Sequence, residues 1–237
     1  MTWSIIARDA AGRFGIAAAS RFFAVGVRLP FIEAGVGAVA TQALVNSLYG
    51  TNGLRLLREG HPPEQVVHEL VAADDGRDHR QLHVMDKAGR VAAYTGGSCV
   101  DWCGHLSGDG WSAAGNFLSG ASVLEDTVEA YLENTELPFA RRLIAAMQAG
   151  EAAGGDKRGK QSAVLKIYGD EAWPDLELRV DDHSDPLAEL ERLEIVSRER
   201  FVYFTACLPC REDPVGLIDR SAIETRITAA RAAESSG

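Results

Sequence analysis

No run in this chain approaches the roughly 18 to 20 uncharged apolar residues of a membrane span, so a membrane protein is not expected. A secretory leader is missing as well: Arg8 and Asp9 interrupt the first apolar stretch almost at once, which makes a cytoplasmic location the expectation. Positive charge is scarce, with 24 Lys and Arg against 34 Asp and Glu and a formal net charge of −10. A general phosphate-backbone binder needs a continuous basic surface, so nucleic acid is set aside. Cysteine is sparse too. The four present, Cys99, Cys103, Cys207 and Cys210, are expected to remain thiols in a reducing compartment. Neither an internal repeat nor a low-complexity linker divides the sequence. At 46% hydrophobic and 24% charged residues, the 237-residue chain has ordinary globular composition.

What is present alternates between two patterns. Trp3 to Ala7 and Phe14 to Ser20 are short apolar runs joined by "RDAAGR", where Asp9 and Gly12 supply turn chemistry, and they predict a hairpin. "GVGAVATQALV" is the next expected strand. "TNGLRLLREG" and "PPEQVVHELVAAD" follow as two short helices, the first closed by Gly60 and the second opened by proline. "RQLHVMDKAGRVAAYTG" predicts a second hairpin turning at Lys87 to Gly89, and "GWSAAGNFLSG" a strand ending at Asn116. Helical spacing returns over Ala121 to Glu133 and Pro138 to Ala149, then "SAVLKIYG" and "DLELRV" predict two more strands. Beyond Pro186 the pattern is charged and helical, ending in "RAAESSG", read as a frayed tail. Hairpins enclosing helix pairs indicate two antiparallel sheets with helices on their outer faces rather than a parallel βαβ fold.

Thr2 is the first residue with a chemical prospect. Initiator methionine is normally removed ahead of a small residue, and a freed Thr2 would carry a hydroxyl nucleophile beside an α-amine of pKa about 7.7 to 8.0, a base available near neutral pH. The strand beginning directly after it would anchor a terminus that otherwise frays.

"MTWSIIARD", "GIAAASRFFAVG", "GVGAVATQALVN", "YGTNGLRLL", "GRDHRQLHVMD", "GNFLSG", "GGDKRGKQSA" and "LRVDDHSDP" resemble, in order and spacing, a largely uncharacterised bacterial family. That family is carried as a domain of unknown function in the N-terminal nucleophile (Ntn) hydrolase superfamily, alongside proteasome β-subunits and penicillin acylases. The resemblance covers about residues 1–195 and leaves 196–237 as a helical extension. It implies an α+β fold, a four-layer αββα sandwich of two antiparallel sheets flanked by helices. It further implies amide hydrolysis through an acyl-enzyme on Thr2. The superfamily also holds members without activity, so a non-catalytic ligand-binding or assembly protein on the same scaffold is the alternative.

On that frame Ser20 and Arg21 are brought to Thr2 by the first hairpin. The Arg21 cation would depress the amine pKa and attract an anionic substrate group; the other reading is a surface arginine at a strand end. Asn116 either donates to a developing oxyanion, worth about 2.7 to 4 kcal/mol in known cases, or caps the following helix. Gln42 and Asn46 would orient a substrate amide or satisfy loop backbone. Asp156, Arg158 and Gln161 form the most concentrated polar loop, resembling in position the residues that support the terminal amine in proteasome β-subunits, or else a structural loop tied by an Asp156 to Arg158 ion pair. His83 sits in a strand pattern and is read as structural, the "RVDDHSDP" acids as a solvated turn, and the cysteines as thiols rather than a zinc site, so no metal and no cofactor is expected. The expected partner is a small amide, lactam or short-peptide substrate; a homo-oligomer is compatible with this reading.

Overall fold

The computed structural model describes residues 2–234. The expected removal of Met1 and the last three residues of the expected tail lie outside the described residues. The elements run β1 (Thr2–Arg8), β2 (Phe14–Ser20), β3 (Pro30–Glu33), β4 (Gly37–Ala43), α1 (Ser47–Arg58), α2 (Pro63–Ala72), β5 (Arg80–Asp86) and β6 (Val91–Thr95). They continue with β7 (Trp102–Gly108), β8 (Trp111–Leu118), α3 (Ser122–Glu133), α4 (Phe139–Ala152), β9 (Ser162–Tyr168), β10 (Leu176–Val180), α5 (Pro186–Ser197), α6 (Phe201–Thr205) and α7 (Arg220–Glu234).

Among the described residues ten strands form two antiparallel sheets, ordered β10-β9-β2-β1-β8-β7 and β3-β4-β5-β6. The first hairpin closes as its turn chemistry predicts: the Asp9 carboxylate accepts from the Arg13 amide at 2.9 Å, and Gly12 takes φ 88°, a conformation that glycine adopts freely. Side-chain alternation then sorts the layers. Trp3, Ile5, Ala7, Ala17 and Ala19 pack with Leu124, Leu143 and Met147 of α3 and α4. Ile6, Ile16 and Ala18 face the other way, onto Ala38, Ala40 and Met85 of the second sheet. That sheet turns Val39, Leu82 and Val84 outward onto Tyr49, Leu56, Val66 and Leu70 of α1 and α2. The result is the four-layer αββα sandwich, with three apolar interfaces and β1 near the middle of the larger sheet.

Two strands are absent from the sequence reading. β3 is a four-residue piece behind Pro30, too short for alternation to register. β7 is an edge strand in which Trp102 packs on the core while His105, Leu106 and Ser107 are exposed, so no buried alternation announces it. α1 begins earlier than expected, at Ser47, because the Asn46 side chain caps it by accepting from the Leu48 amide at 3.1 Å. The boundary expected at residue 195 lies inside α5, whose Leu187 and Leu190 belong to the core beneath the larger sheet. Beyond it α6 and α7 pack on one another.

Candidate functional site

Strand register brings polar residues into two facing rows at one end of the sandwich. On the larger sheet Ser162, Ser20, Thr2 and Asn116 stand side by side across β9, β2, β1 and β8. On the smaller sheet Gln42, Gln81 and Thr95 do the same across β4, β5 and β6. All but Thr95 are buried. Buried polar groups must find partners, so such a row between two apolar cores demands a network.

The direction of each bond in that network follows from the donor inventory. Gln81 Nε2 faces Gly115 O at 2.8 Å, Gly104 O at 3.0 Å and Thr95 Oγ1 at 2.9 Å. Two of these are carbonyls without a proton, so the nitrogen belongs there and Gln81 Oε1 must point the other way. It accepts from Gln42 Nε2 at 2.7 Å and from Asn116 Nδ2 at 2.9 Å. Both amide nitrogens also make longer contacts with Thr2 O, at 3.4 and 3.5 Å. Asn116 is thereby held with its nitrogen engaged and its Oδ1 buried without a partner. Behind Gln42, its Oε1 accepts from Ser4 Oγ at 2.6 Å. Ser4, having given its proton, accepts from His83 Nε2 at 3.0 Å, which leaves Nδ1 to accept from Ser112 Oγ at 3.2 Å. Burial, with a smaller effect of His105, pulls the His83 pKa down to about 3, so the imidazole is neutral.

Thr2 Oγ1 donates to Ser20 Oγ at 3.1 Å and lines a cavity of about 570 Å³, together with Ser20 and Gln42. Most of the remaining wall is apolar, with Phe22, Phe23, Val25, Val27 and Leu29 from one segment and Leu44 and Val45 from another, and Arg28, Thr41 and Arg80 complete it. Its two rims are built into the fold. Ala24 sits at φ 53°, with its amide donating to Asp181 O at 2.9 Å and the next amide donating to Ser162 Oγ at 3.1 Å. Ala43 sits at φ 67° and turns Leu44 onto the opening, where Arg80 Nη1 holds Leu44 O at 2.7 Å. Phe117, directly after Asn116, has φ 60°. Left-handed backbone costs a residue with a side chain about 1 kcal/mol, and such positions collect at functional sites. Three of the four non-glycine examples among the described residues flank Thr2.

With this geometry in place, comparison with known proteins adds a family. A model described as a family of unknown function, DUF1028, matches residues 2–190. The chain belongs to DUF1028. A solved DUF1028 structure, protein SPO2555 from Silicibacter pomeroyi, is 34% identical, covers 92% of this chain with 96% of its own, and superposes with a TM-score of 0.85. Anbu (ancestral beta-subunit) from Yersinia bercovieri is 13% identical with a TM-score of 0.42, over 88% of this chain and 98% of that one. No protein of curated function matches the chain.

This DUF1028 chain brings Thr2, Ser20, Gln42 and Asn116 together, and engages the side chains of the other expected residues elsewhere. Arg21 is exposed and lines a different cavity, with Glu151, Arg158, Lys160, Gln161 and His183. It directly follows Ser20, and since neighbouring side chains on extended backbone leave on opposite sides, a Ser20 aimed between the sheets sends Arg21 away. Asn46 is occupied by helix capping and by Asp74, to which it donates at 3.0 Å. Asp156 is buried against Arg158 at 2.7 Å, and the Arg158 guanidinium lies 5.0 Å from the centre of the Phe117 ring, so this loop braces the backbone after Asn116. Gln161 donates its side-chain amide to Asp182 at 2.9 Å and its backbone amide to Ser20 O at 2.9 Å.

His83 is tied between two serines, Asp185 caps α5 through the Ala188 amide at 3.3 Å, and all four cysteines are free. Among the described residues no cluster of three His, Cys, Asp or Glu is placed to hold a metal ion, and no helix is long and apolar enough to cross a membrane. Gln81, Ser4 and Ser162 are the site residues that sequence reasoning missed. The available signal was a polar side chain on the core side of an alternating strand: Gln81 shares its face with His83 and Met85 in "RQLHVMD".

Proposed function

We propose that this chain is an amidohydrolase of the N-terminal nucleophile superfamily, acting on a small amide, lactam or short peptide through Thr2. Removal of Met1 frees the Thr2 amine, which takes the proton from Oγ1, directly or through one water, as Oγ1 attacks the substrate carbonyl. The C–N bond then breaks, the amine returns its proton to the departing nitrogen, and the acyl group is left as an ester on Thr2. Water, deprotonated by the same amine, hydrolyses the ester and regenerates the hydroxyl.

The residues divide the work by what their atoms have left to offer. Ser20 Oγ aligns the Thr2 hydroxyl. The Asn116 nitrogen is already engaged, so the assignment of Asn116 as an oxyanion donor gives way to its Oδ1 accepting from the freed amine. Oxyanion contacts fall to backbone amides of the loop carrying Phe22 and Phe23, which lines the same cavity. Arg21 has no part in the step, and the chemistry is assigned to residues 1–195.

The observation that carries this reading is the Thr2 hydroxyl, held on Ser20 at the wall of an open and mostly apolar cavity, with the unpartnered acceptor of Asn116 at the strand position paired with Thr2. The test starts with the intact mass of untagged protein, expected to be short by one methionine. An amide and peptide screen on that material should then find a substrate whose turnover falls by about 10⁴-fold or more in Thr2→Ala and is partly retained in Thr2→Ser. Undiminished turnover by Thr2→Ala would falsify the assignment.

A further inference from the structure

The cavity at Thr2 carries information about which amide would enter it. Its walls are apolar on both sides, and several wall residues are well exposed, Phe22 at 66%, Phe23 at 60%, Leu44 at 62% and Val27 at 54%. A volume of about 570 Å³ is in the usual range for small-molecule sites. Exposed apolar side chains gathered round one opening are costly in water unless an apolar ligand covers them.

The polar content of the rim is as specific as the wall. Two guanidiniums line the cavity, Arg28 and Arg80. Arg80 is already compensated, with Nε on Asp74 at 3.0 Å and Nη1 on Leu44 O at 2.7 Å. Arg28 is exposed and has no ion pair among the described residues. One cation at the mouth of an apolar cavity therefore remains for an anionic group on the ligand.

Resting on the Thr2 reading, we infer that the substrates are N-acyl amino acids: amides with an apolar acyl group of medium length and a carboxylate on the amine half. The placement of the two halves follows from the order of steps. The acyl group stays attached to Thr2 between amine release and water attack, so it belongs in the apolar cavity that contains Thr2. The amine half leaves first, so its carboxylate belongs at the exposed rim with Arg28. Cleavage breaks the amide C–N bond and forms the Thr2 ester. Water then yields the free carboxylic acid, and the proton taken from Thr2 Oγ1 leaves on the amino acid.

The test uses methionine-free full chain and three probes: N-octanoylglycine, N-acetylglycine and N-octanoylmethylamine. Wild type should hydrolyse N-octanoylglycine about 100-fold more efficiently, as kcat/KM, than N-acetylglycine. Arg28→Ala should lower kcat/KM about tenfold more for N-octanoylglycine than for N-octanoylmethylamine. Leu44→Asp, a change at an exposed wall position, should remove most of the chain-length preference. In parallel, calorimetry should show N-octanoylglycine binding to Thr2→Ala more tightly than N-acetylglycine. Thr2-dependent hydrolysis without a chain-length preference, or an Arg28→Ala effect equal on both octanoyl probes, overturns the substrate class and leaves the hydrolase standing. Chain-selective binding without hydrolysis by wild type overturns the hydrolase and leaves the ligand class standing. Neither binding nor hydrolysis of the octanoyl probes overturns the inference.

Discussion

Asn116 shows how much one side chain's orientation decides. Its Oδ1 is fully buried and unpartnered, an arrangement that costs on the order of 1 to 3 kcal/mol in a folded protein. The amide cannot rotate to relieve it, because that would set Oδ1 against Gln81 Oε1, and Gln81 is locked by two backbone carbonyls. In the proposed reaction the orphaned acceptor meets the Thr2 amine. Asn116→Ala should therefore lower kcat about 100-fold with little change in Tm, since it removes an unsatisfied group as well as a working one. It should also move the acid limb of the kcat/KM profile to lower pH. An acceptor beside the amine favours the charged ammonium, so its loss lowers the amine pKa. A fall in activity with an unmoved acid limb would leave Asn116 a structural role only. At this scale Thr2, Gln42 and Asn116 are legible as polar residues at strand ends. What Asn116 offers, an oxygen and not a nitrogen, depends on Gln81, which is 35 positions away in sequence.

At the contact of α3 with α4 a glycine sets how closely the elements approach. Gly150 of α4 lies where a Cβ would overlap Thr127 Oγ1 of α3 and come within 2.9 Å of Val123 O and 3.0 Å of Trp3 Nε1. Alanine would gain about 1 kcal/mol of helix propensity at this position. The overlap should cost more, so Gly150→Ala is expected to destabilise the protein by about 1 to 3 kcal/mol net in urea unfolding. The double variant with Thr127→Ala should recover part of that loss, and additive costs would show that the contact is not the cause. The helices α3 and α4 are readable from their apolar spacing. Their closeness is not: Gly150 falls just past the expected helix end at Ala149, at the head of a glycine-rich stretch, and its role shows only once its neighbours across the interface are known.

Across the whole molecule, the buried His83 couples folding to pH. Its pKa is about 3 in the folded state and about 6.5 when unfolded, so the unfolded chain binds the extra proton first. The stability tied to neutral His83 is complete above pH 6.5 and falls as pH drops from 6.5 toward 3, by about 1.4 kcal/mol per unit. Asp74 acts in a different window. Burial alone would raise its carboxyl, but hydrogen bonds from Arg80, Asn46, the Gly76 amide and Tyr49 outweigh that and hold it well below the usual carboxylate range. Its contribution is lost only as pH falls below about 3.8. Urea unfolding at pH 7 and pH 5 should therefore differ by about 2 kcal/mol in wild type and by clearly less in His83→Gln. Equal slopes in the two proteins would remove His83 as the cause, and leave His105, whose pKa burial also lowers, to account for it.

Local chemistry in the sequence settles the kind of most elements, two antiparallel sheets with helices outside them and the placement of Thr2 at a strand start, while the four-layer αββα arrangement is implied by the family resemblance. Hydrophobic period, turn residues and capping act over a few positions and need no partner to be read. The tertiary structure alone decides that Ser162, Ser20, Thr2 and Asn116 form one row facing Gln42 and Gln81, that Arg21 opens on another cavity, and that Asn116 presents an acceptor. Those outcomes rest on strand pairing and on a chain of hydrogen bonds in which each donor's direction is set by the next residue's remaining capacity. Contacts of that kind join positions far apart in the chain, and no local pattern records them.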